Sequence, residues 1–313
     1  MTAATLFDRP RTHRKVHGVA AALLPFESDG QIAVEAFQKH LIATQRAGLQ
    51  NAVNMDTGYV NYLSEQEKLS VLRWTREALG KNVPFVAGAY IEGQPGRVAD
   101  LYRKQMDAIV QFGGTPILFQ TSQVHGKSPK EKAEIYQEVC RGYSRVIAFE
   151  LGPMFAPNGE IFDSETFQRL MAIPEIVGIK HSSLDRVKEF ERLNLRDAHR
   201  PEFRIYTGND LGISMIEYGS DYLLGLATFA PAKFADRDCF WETADPRYFA
   251  LSDSLQHLGN VAFREPVPAY KHSAAIFLNL TGRIPTSKPH PNNPLRPAWE
   301  VELLRDCARR LEI

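Results

Sequence analysis

The chain has 313 residues, of which 44% are hydrophobic and 24% are charged, which is typical of a globular protein with one large domain or two small ones. Lysine plus arginine and aspartate plus glutamate number 37 each, so the zero net charge argues against a nucleic-acid-binding protein. The three cysteines are widely spaced, which argues against a disulfide framework, and the polar, basic N-terminus argues against a secretory signal. No apolar run is long enough to span a membrane, so we expect a cytoplasmic protein.

Eight short apolar runs recur along the first 230 residues and predict buried strands. The runs are continuous rather than alternating, which is typical of parallel strands that are covered on both faces. In chain order they occupy residues 17–26, 49–55, 83–90, 115–121, 144–152, 175–180, 203–210 and 221–229.

Helical patterns separate the apolar runs. Residues 34–48 are amphipathic and end at Gly48, which suits the position just beyond a helix. Ser64 and Glu67 have the spacing of a capping box at the start of the next helix. This alternation predicts an α/β protein with a (β/α)8 TIM barrel. A doubly wound open sheet is the alternative, although no strand is followed by GxGxxG or GxxxxGK[ST].

The sequence predicts three regions rather than two separate domains. Residues 1–16 form an N-terminal extension, residues 17–235 form the barrel, and residues 236–313 form a C-terminal helical region that is packed on the barrel. The proline-rich stretch 283–297 is expected to be an ordered or semi-rigid linker before the last helix.

Lys180 ends the sixth apolar run, in the segment "PEIVGIKHSS" (174–183). Chemistry in TIM barrels takes place at the C-terminal ends of the strands. A free lysine has a pKa of ~10.4, and burial that lowers the pKa by about three units costs roughly 4 kcal/mol and yields an amine that can attack a carbonyl. The position therefore favours Schiff-base formation by Lys180. The alternative is a lysine that extends its charge into solvent or pairs with a carboxylate.

Five short motifs follow one another in an ordered arrangement. They are "MDTGYVNYLSEQEK" (55–68), "GIK" (178–180), "GND" (208–210), "YGSDYLLGLATFAP" (218–231) and "EPVPAYKHSAAIFL" (265–278). In order and spacing they resemble the dihydrodipicolinate synthase / N-acetylneuraminate lyase family of class I (Schiff-base) aldolases and dehydratases, as a divergent member.

The resemblance implies a lyase that forms an imine between Lys180 and the C2 carbonyl of pyruvate or a related 2-keto acid. It implies no cofactor and no metal, and it implies a homotetramer built as a dimer of dimers. It also implies that the substrate is bound by Thr57 and Gly58 in the turn after the second strand, by Gly208 and Asn209 in the GND motif, and by the backbone carbonyl of Leu224.

Two departures from the family pattern concern proton transfer. Phe149 stands where the family has its acid–base tyrosine, and Asp56 stands where the family has a threonine of the proton relay. We expect Glu150 or Asp56 to carry protons instead, with Phe149 retained as a substrate-contacting residue. The alternatives are a salt-bridged Glu150 and an Asp56 that caps its own turn.

Residues 153–159 contain no arginine, so the synthase activity of lysine biosynthesis, which needs one for a second carboxylate, is not favoured. Polar groups that suit a sugar acid are expected near the barrel mouth instead, namely Gln120, Thr121, Ser122, His125, His181, Ser182 and Asn209.

Three functions therefore stay open. The first is aldol cleavage or condensation of a 2-keto acid, and the second is dehydration of a keto-deoxy sugar acid through the same imine. The third is a catalytically altered barrel that only binds a ligand. A lysine that holds pyridoxal phosphate is a further possibility, although no glycine-rich phosphate site follows the seventh and eighth strands.

Overall fold

A closed barrel of eight parallel strands organises the computed structural model, which describes residues 8–156 and 158–313. The strands are β1 (Gly18–Ala21), β2 (Gln50–Val53), β3 (Phe85–Ala89), β4 (Gly114–Leu118), β5 (Val146–Leu151), β6 (Ile176–Ser182), β7 (Arg204–Thr207) and β8 (Asp221–Leu224). Each predicted apolar run overlaps the strand expected from it, although β4 begins one residue before its run and β6 ends two residues after its run. The barrel is closed, so the (β/α)8 prediction is confirmed and the open sheet is excluded.

Helices alternate with the strands and then continue to the C-terminus. They are α1 (Val34–Arg46), α2 (Glu65–Leu79), α3 (Val98–Gln111), α4 (Pro129–Cys140), α5 (Ser164–Met171), α6 (Arg186–His199), α7 (Pro231–Glu242), α8 (Arg247–Ala262), α9 (Tyr270–Leu280) and α10 (Glu300–Arg310). The capping box expected at Ser64 and Glu67 is present at the start of α2. Gly48 follows α1 with a φ of 97°, a conformation that glycine adopts without strain.

The described residues form two compact units. The first contains the described residues up to Asn51 together with Asn209–Ile313, and the second is Ala52–Gly208. The expected barrel boundary at residue 235 falls inside α7, and the expected N-terminal extension lies partly outside the described residues.

In the first unit, β1 pairs with β8 in parallel, and Ala20 lies opposite Leu224. The C-terminal helices contact one another, since α8 packs against α7 and α10. Arg296 holds the proline-rich stretch in place by donating to the carbonyls of Ala262 (2.8 Å) and Arg264 (2.7 Å). This stretch is therefore ordered, as its composition predicts.

In the second unit, β3 to β7 form a continuous parallel ladder. The pairing of β5 with β6 shifts register between Val146 and Ile147, so Phe149 lies opposite Lys180 and Glu150 lies opposite His181. Side chains alternate between the two faces of a strand, and this shift therefore decides which residue of β5 accompanies Lys180.

Candidate active site

Lys180 is nearly buried in the barrel interior, beside an aromatic ring. Its side chain is 9% exposed, and its Nζ is 4.5 Å from the centroid of the Phe149 ring. The register places Phe149, Lys180 and Tyr206 in one row across β5, β6 and β7. Residues in one row of parallel strands face the same side, so Lys180 is flanked by two aromatic residues. Strand β6 continues to Ser182, two residues beyond the end that the sequence predicts.

Gly208 follows β7 and leaves the space that Lys180 and Ser182 occupy. A Cβ atom at position 208 would lie 2.0 Å from Ser182 Oγ and 2.8 Å from Lys180 Cε. A side chain at the glycine of the GND motif would therefore displace Ser182 Oγ and the Lys180 side chain from these positions. Ser182 Oγ is buried and has no hydrogen-bond partner among the residues that the structure describes. Two residues beyond Lys180 on the same strand, this hydroxyl faces the same side as the amine.

Glu150 lies on the opposite face of β5 and is completely buried in a charged network. His181 Nδ1 lies 2.6 Å from its Oε1, and the Arg192 guanidinium donates to both carboxylate oxygens at 2.8 and 3.0 Å. The Phe162 N–H donates to Oε2 at 2.9 Å, and Arg192 also donates to the Phe162 carbonyl. Helix α6 carries Arg192, so this network joins β5 and β6 to a helix outside the barrel.

The network fixes the charge of Glu150. Burial alone would raise its pKa, but the charges and hydrogen bonds of His181 and Arg192 outweigh burial and lower the pKa to about 2. A carboxylate with this pKa holds no proton near neutral pH. The structure does not bring Glu150 together with Lys180, and its position matches the salt-bridged alternative rather than that of a proton carrier.

His181 faces away from Lys180, as the alternation along β6 predicts. Its Nε2 lies 2.6 Å from Ser183 Oγ, and Ser183 Oγ in turn accepts from the Asp185 N–H at 3.0 Å. Asp185 caps α6 by accepting from two N–H groups of its first turn. His181 therefore connects the buried network to the start of α6.

The turn after β2 carries the residues expected to bind a carboxylate. Asp56–Gly58 form one turn of 3-10 helix in which Thr57 is buried. The Gly58 N–H donates to the Met55 carbonyl at 3.0 Å, and the Tyr59 N–H donates to the Asp56 carbonyl at 2.9 Å. The Gly58 N–H is thus engaged inside the turn, and the expectation that it donates to a substrate carboxylate is not supported by this geometry.

A pocket of about 110 Å³ opens beside this turn, with Asp56, Tyr90 and Phe119 in its wall. The rings of Tyr90 and Phe119 lie 5.5 Å apart, and those of Phe119 and Phe149 lie 5.1 Å apart. An aromatic row therefore runs from the pocket wall to the ring beneath Lys180. Burial, followed by the negative charges of Glu92 and Asp56, raises the pKa of Tyr90, which keeps its hydroxyl protonated.

Sequence reasoning missed Tyr90 as a site residue, although it ends the third apolar run. Tyr90 resembles Lys180 in its position, because both residues lie at or near the C-terminal end of a barrel strand. The signal was available in the sequence but pointed equally to a packing residue.

Two polar residues expected at the barrel mouth are occupied with loop contacts. The Gln120 side chain accepts from the N–H groups of Leu151 and Glu160 and donates to the Glu160 carbonyl. Ser122 donates its hydroxyl to Glu92 at 2.7 Å. These contacts hold the loops around the pocket rather than presenting free groups to a ligand.

Asn209 and Leu224 belong to the first unit. Asn209 is buried, and its Oδ1 accepts from the Leu211 N–H at 3.0 Å, which stabilises the turn after β7. Leu224 is the last residue of β8. Asp210 accepts from the Leu226 N–H at 2.7 Å and so fixes the backbone just beyond Leu224.

The residues that the structure describes contain no group of three or more His, Cys, Asp or Glu side chains that could hold a metal ion. Within residues 8–156 and 158–313, no helix combines the length and the apolar character that a membrane crossing requires.

Comparison with known proteins identifies the family of this chain. A 4-hydroxy-tetrahydrodipicolinate synthase of Chelativorans sp. (strain BNC1) is 29% identical over 280 residues, which cover 85% of this chain and 88% of the relative. The synthase of Neisseria gonorrhoeae is 26% identical over 293 residues, which cover 90% of this chain and 93% of the relative.

Solved structures agree in fold. Dihydrodipicolinate synthase from Thermotoga maritima superposes with a TM-score of 0.81 at 18% identity and covers 96% of this chain and 99% of its own. The chloride-inhibited synthase from Acinetobacter baumannii complexed with pyruvate gives a TM-score of 0.79 at 21% identity and covers 96% of this chain and 100% of its own. A family model described as "Protein of unknown function (DUF993)" matches residues 16–286. The chain therefore belongs to the DUF993 family and is a distant member of the dihydrodipicolinate synthase family.

Proposed function

We propose that this protein is a Schiff-base-forming lyase that acts on pyruvate or a related 2-keto acid. The observation that carries the proposal is the placement of Lys180, whose amine is nearly buried above the Phe149 ring inside the barrel. The unprotonated ε-amine of a lysine is a nucleophile that adds to the carbonyl of a 2-keto acid. The structures of relatives complexed with pyruvate support the choice of keto acid.

The proposed reaction begins when Lys180 Nζ adds to the C2 carbonyl carbon and water leaves, giving a protonated imine. In the cleavage direction a base takes the proton of the C4 hydroxyl, the C3–C4 bond breaks, and its electron pair moves toward the imine to give an enamine. C4 becomes the carbonyl carbon of an aldehyde, which leaves. Protonation of C3 and hydrolysis of the imine then release pyruvate and free Lys180. Condensation follows the same steps in reverse.

Two proton carriers are proposed in place of the missing tyrosine hydroxyl. Asp56 lines the pocket beside Tyr90, whose raised pKa keeps the phenol protonated as a hydrogen-bond donor rather than as a proton carrier. Ser182 supplies a further hydroxyl on the same face of β6 as Lys180. Glu150 is not proposed for this role, because its carboxylate is committed to Arg192 and His181.

We place the far end of the substrate in the pocket beside Asp56, whose described lining does not include Lys180, and its wall favours a far end that is uncharged and carries hydroxyl groups. Among the described residues that line the pocket, Asp56 is charged and none is lysine or arginine. A second carboxylate on the substrate would face Asp56 without a cation to pair with it. The amide groups of Asn61 and Asn158 and the phenol of Tyr90 suit hydroxyl groups.

The proposal is tested by incubating the protein with a panel of keto-deoxy sugar acids and measuring pyruvate with lactate dehydrogenase. Lys180→Met should abolish pyruvate release. Lys188→Met is the matched control, since Lys188 is an exposed lysine on α6 and its loss should leave release unchanged.

Product analysis separates the alternatives. Dehydration loses one water and conserves the carbon skeleton, so a product without pyruvate release would identify the keto-deoxy sugar acid dehydratase. Binding of keto acids without turnover and without an imine adduct would contradict the proposal and favour a barrel that only binds a ligand.

A further inference from the structure

A second pocket lies in the first unit and carries positive charge. It has a volume of about 360 Å³ and is lined by α1, by the N-terminus of α7 and by the residues that follow α9. Its charged or titratable lining residues are Lys39, His40 and Arg283. No carboxylate is among the lining residues that the structure describes, although Glu35 pairs with Lys39 at 2.6 Å on the exposed side of α1.

Arg283 is the central cation of this pocket. Its guanidinium forms no hydrogen bond or ion pair with residues 8–156 or 158–313, yet its side chain is half-buried, and burial lowers its pKa. Removing a guanidinium from water without a counter-charge is unfavourable, and a bound anion would offset this cost.

His40 supplies a second polar group without a full set of partners. It is 3% exposed, and its Nε2 lies 2.7 Å from Thr228 Oγ1, which also accepts from the Leu23 N–H at 3.1 Å. Its Nδ1 is buried and has no partner within the described part of the chain. Burial, followed by the charge of Arg283, lowers the pKa of His40 to about 4, so the ring is neutral near pH 7.

The N-terminus of α7 meets the same pocket. Pro231 and Ala232 line it, and α7 begins at Pro231 after Ala230, whose side chain makes no capping hydrogen bond. The first N–H groups of a helix have no partner inside the helix, and its dipole is positive at this end. The N-terminus of this twelve-residue helix therefore adds anion-binding backbone N–H groups to the cationic side chains of Arg283 and Lys39 and to the neutral ring of His40.

We propose that this pocket binds a small anion, the phosphate or carboxylate group of a small molecule, with Arg283 as the main contact. His40 and the N-terminus of α7 complete the site. The site is separate from the Schiff-base chemistry, so its test does not depend on the proposed function. A ligand here would contact His40, which is bonded to Thr228 in the turn that follows β8.

Isothermal titration calorimetry on the full chain tests the proposal, with inorganic phosphate as the first probe and acetate as the second, at constant ionic strength. Wild-type protein should bind at least one of them saturably. Arg283→Met should weaken this binding at least tenfold. Arg46→Met, which removes an exposed arginine from α1, should bind within twofold of wild type. A stronger response to phosphate than to acetate would identify a phosphate-bearing ligand, and the reverse a carboxylate.

Thermal unfolding distinguishes a ligand-binding arginine from a structural one. Because Arg283 has no partner in the described chain, Arg283→Met should keep or raise the Tm without ligand and lose the ligand-dependent increase. Three results would overturn the proposal. The first is no saturable binding of either anion, and the second is equal affinity of wild type and Arg283→Met. The third is a lower Tm of Arg283→Met without ligand together with a change in oligomeric mass, which would show that Arg283 contacts a protein partner.

Discussion

Replacing Glu150 by glutamine removes the carboxylate that holds Arg192 and His181 together. The glutamine has nearly the same shape, so the change isolates the charge. It leaves the buried Arg192 guanidinium beside a neutral amide, and one of the amide's two ends presents N–H groups to a cation. Breaking a buried ion pair in this way typically destabilises a protein by about 3–5 kcal/mol.

The pKa of Glu150 gives the size of the effect independently. The folded-state pKa is about 2, against an ordinary value of 4.5. At ~1.4 kcal/mol per pKa unit, this lowering contributes about 3 kcal/mol to stability near neutral pH. Because the folded pKa is depressed, the contribution is present above pH 4.5 and is lost as the pH falls from 4.5 toward 2. The two figures agree in magnitude.

Urea unfolding at several pH values measures the effect. The difference in unfolding free energy between wild type and Glu150→Gln should be about 3 kcal/mol at pH 7 and should shrink toward zero as the pH approaches 2. Subtracting the two proteins cancels the other carboxylates. Glu165→Gln is the matched control, since Glu165 pairs with Arg169 on the surface and its loss should leave stability nearly unchanged.

A second measurement on the same variant separates structure from catalysis. At a temperature where Glu150→Gln remains folded, it should still form the imine with pyruvate. A variant that is as stable as wild type at pH 7 but has lost turnover would refute the structural reading of Glu150 and restore its role as a proton carrier.

Three further predictions concern the barrel and its helices. Gly208→Ala places a Cβ 2.0 Å from Ser182 Oγ and 2.8 Å from Lys180 Cε, so imine trapping should fall at least tenfold. Gly30→Ala adds a Cβ that meets no atom within 4 Å but strains a backbone φ of 88°, so it should lower stability without lowering trapping. Phe149→Tyr restores a hydroxyl beside Lys180 and should speed imine formation in stopped-flow absorbance; a slower rate would show that the ring must stay apolar. Ser64→Ala removes the capping box of α2 and should lower the unfolding free energy by about 1 kcal/mol, and a loss no greater than that of Ser70→Ala, within the same helix, would contradict the assignment.

The sequence predicts the barrel well because its signals are local. Eight continuous apolar runs separated by amphipathic segments mark strands that are covered on both sides, and Ser64 with Glu67 marks a helix start within four residues. The placement of Lys180 follows from the same pattern, since a lysine near the end of a buried strand is displayed at one end of the barrel.

The fate of Glu150 could not be read from the sequence because it depends on distant residues. The register shift between Val146 and Ile147 decides which face of β5 it occupies, and its main partner Arg192 is 42 residues away. The contact between His40 and Thr228 spans 188 residues and likewise has no local signal. The roles of Glu150 and His40 therefore become visible only in the folded structure, which brings each residue together with its distant partners.

The most direct test of the account is borohydride reduction in the presence of pyruvate, followed by intact-protein and peptide mass spectrometry. We expect one reduced adduct on the peptide that contains Lys180, normal adduct formation in Lys188→Met, and none in Lys180→Met. Absence of an adduct on folded wild-type protein, with pyruvate and with longer 2-keto acids, would contradict Schiff-base chemistry at Lys180.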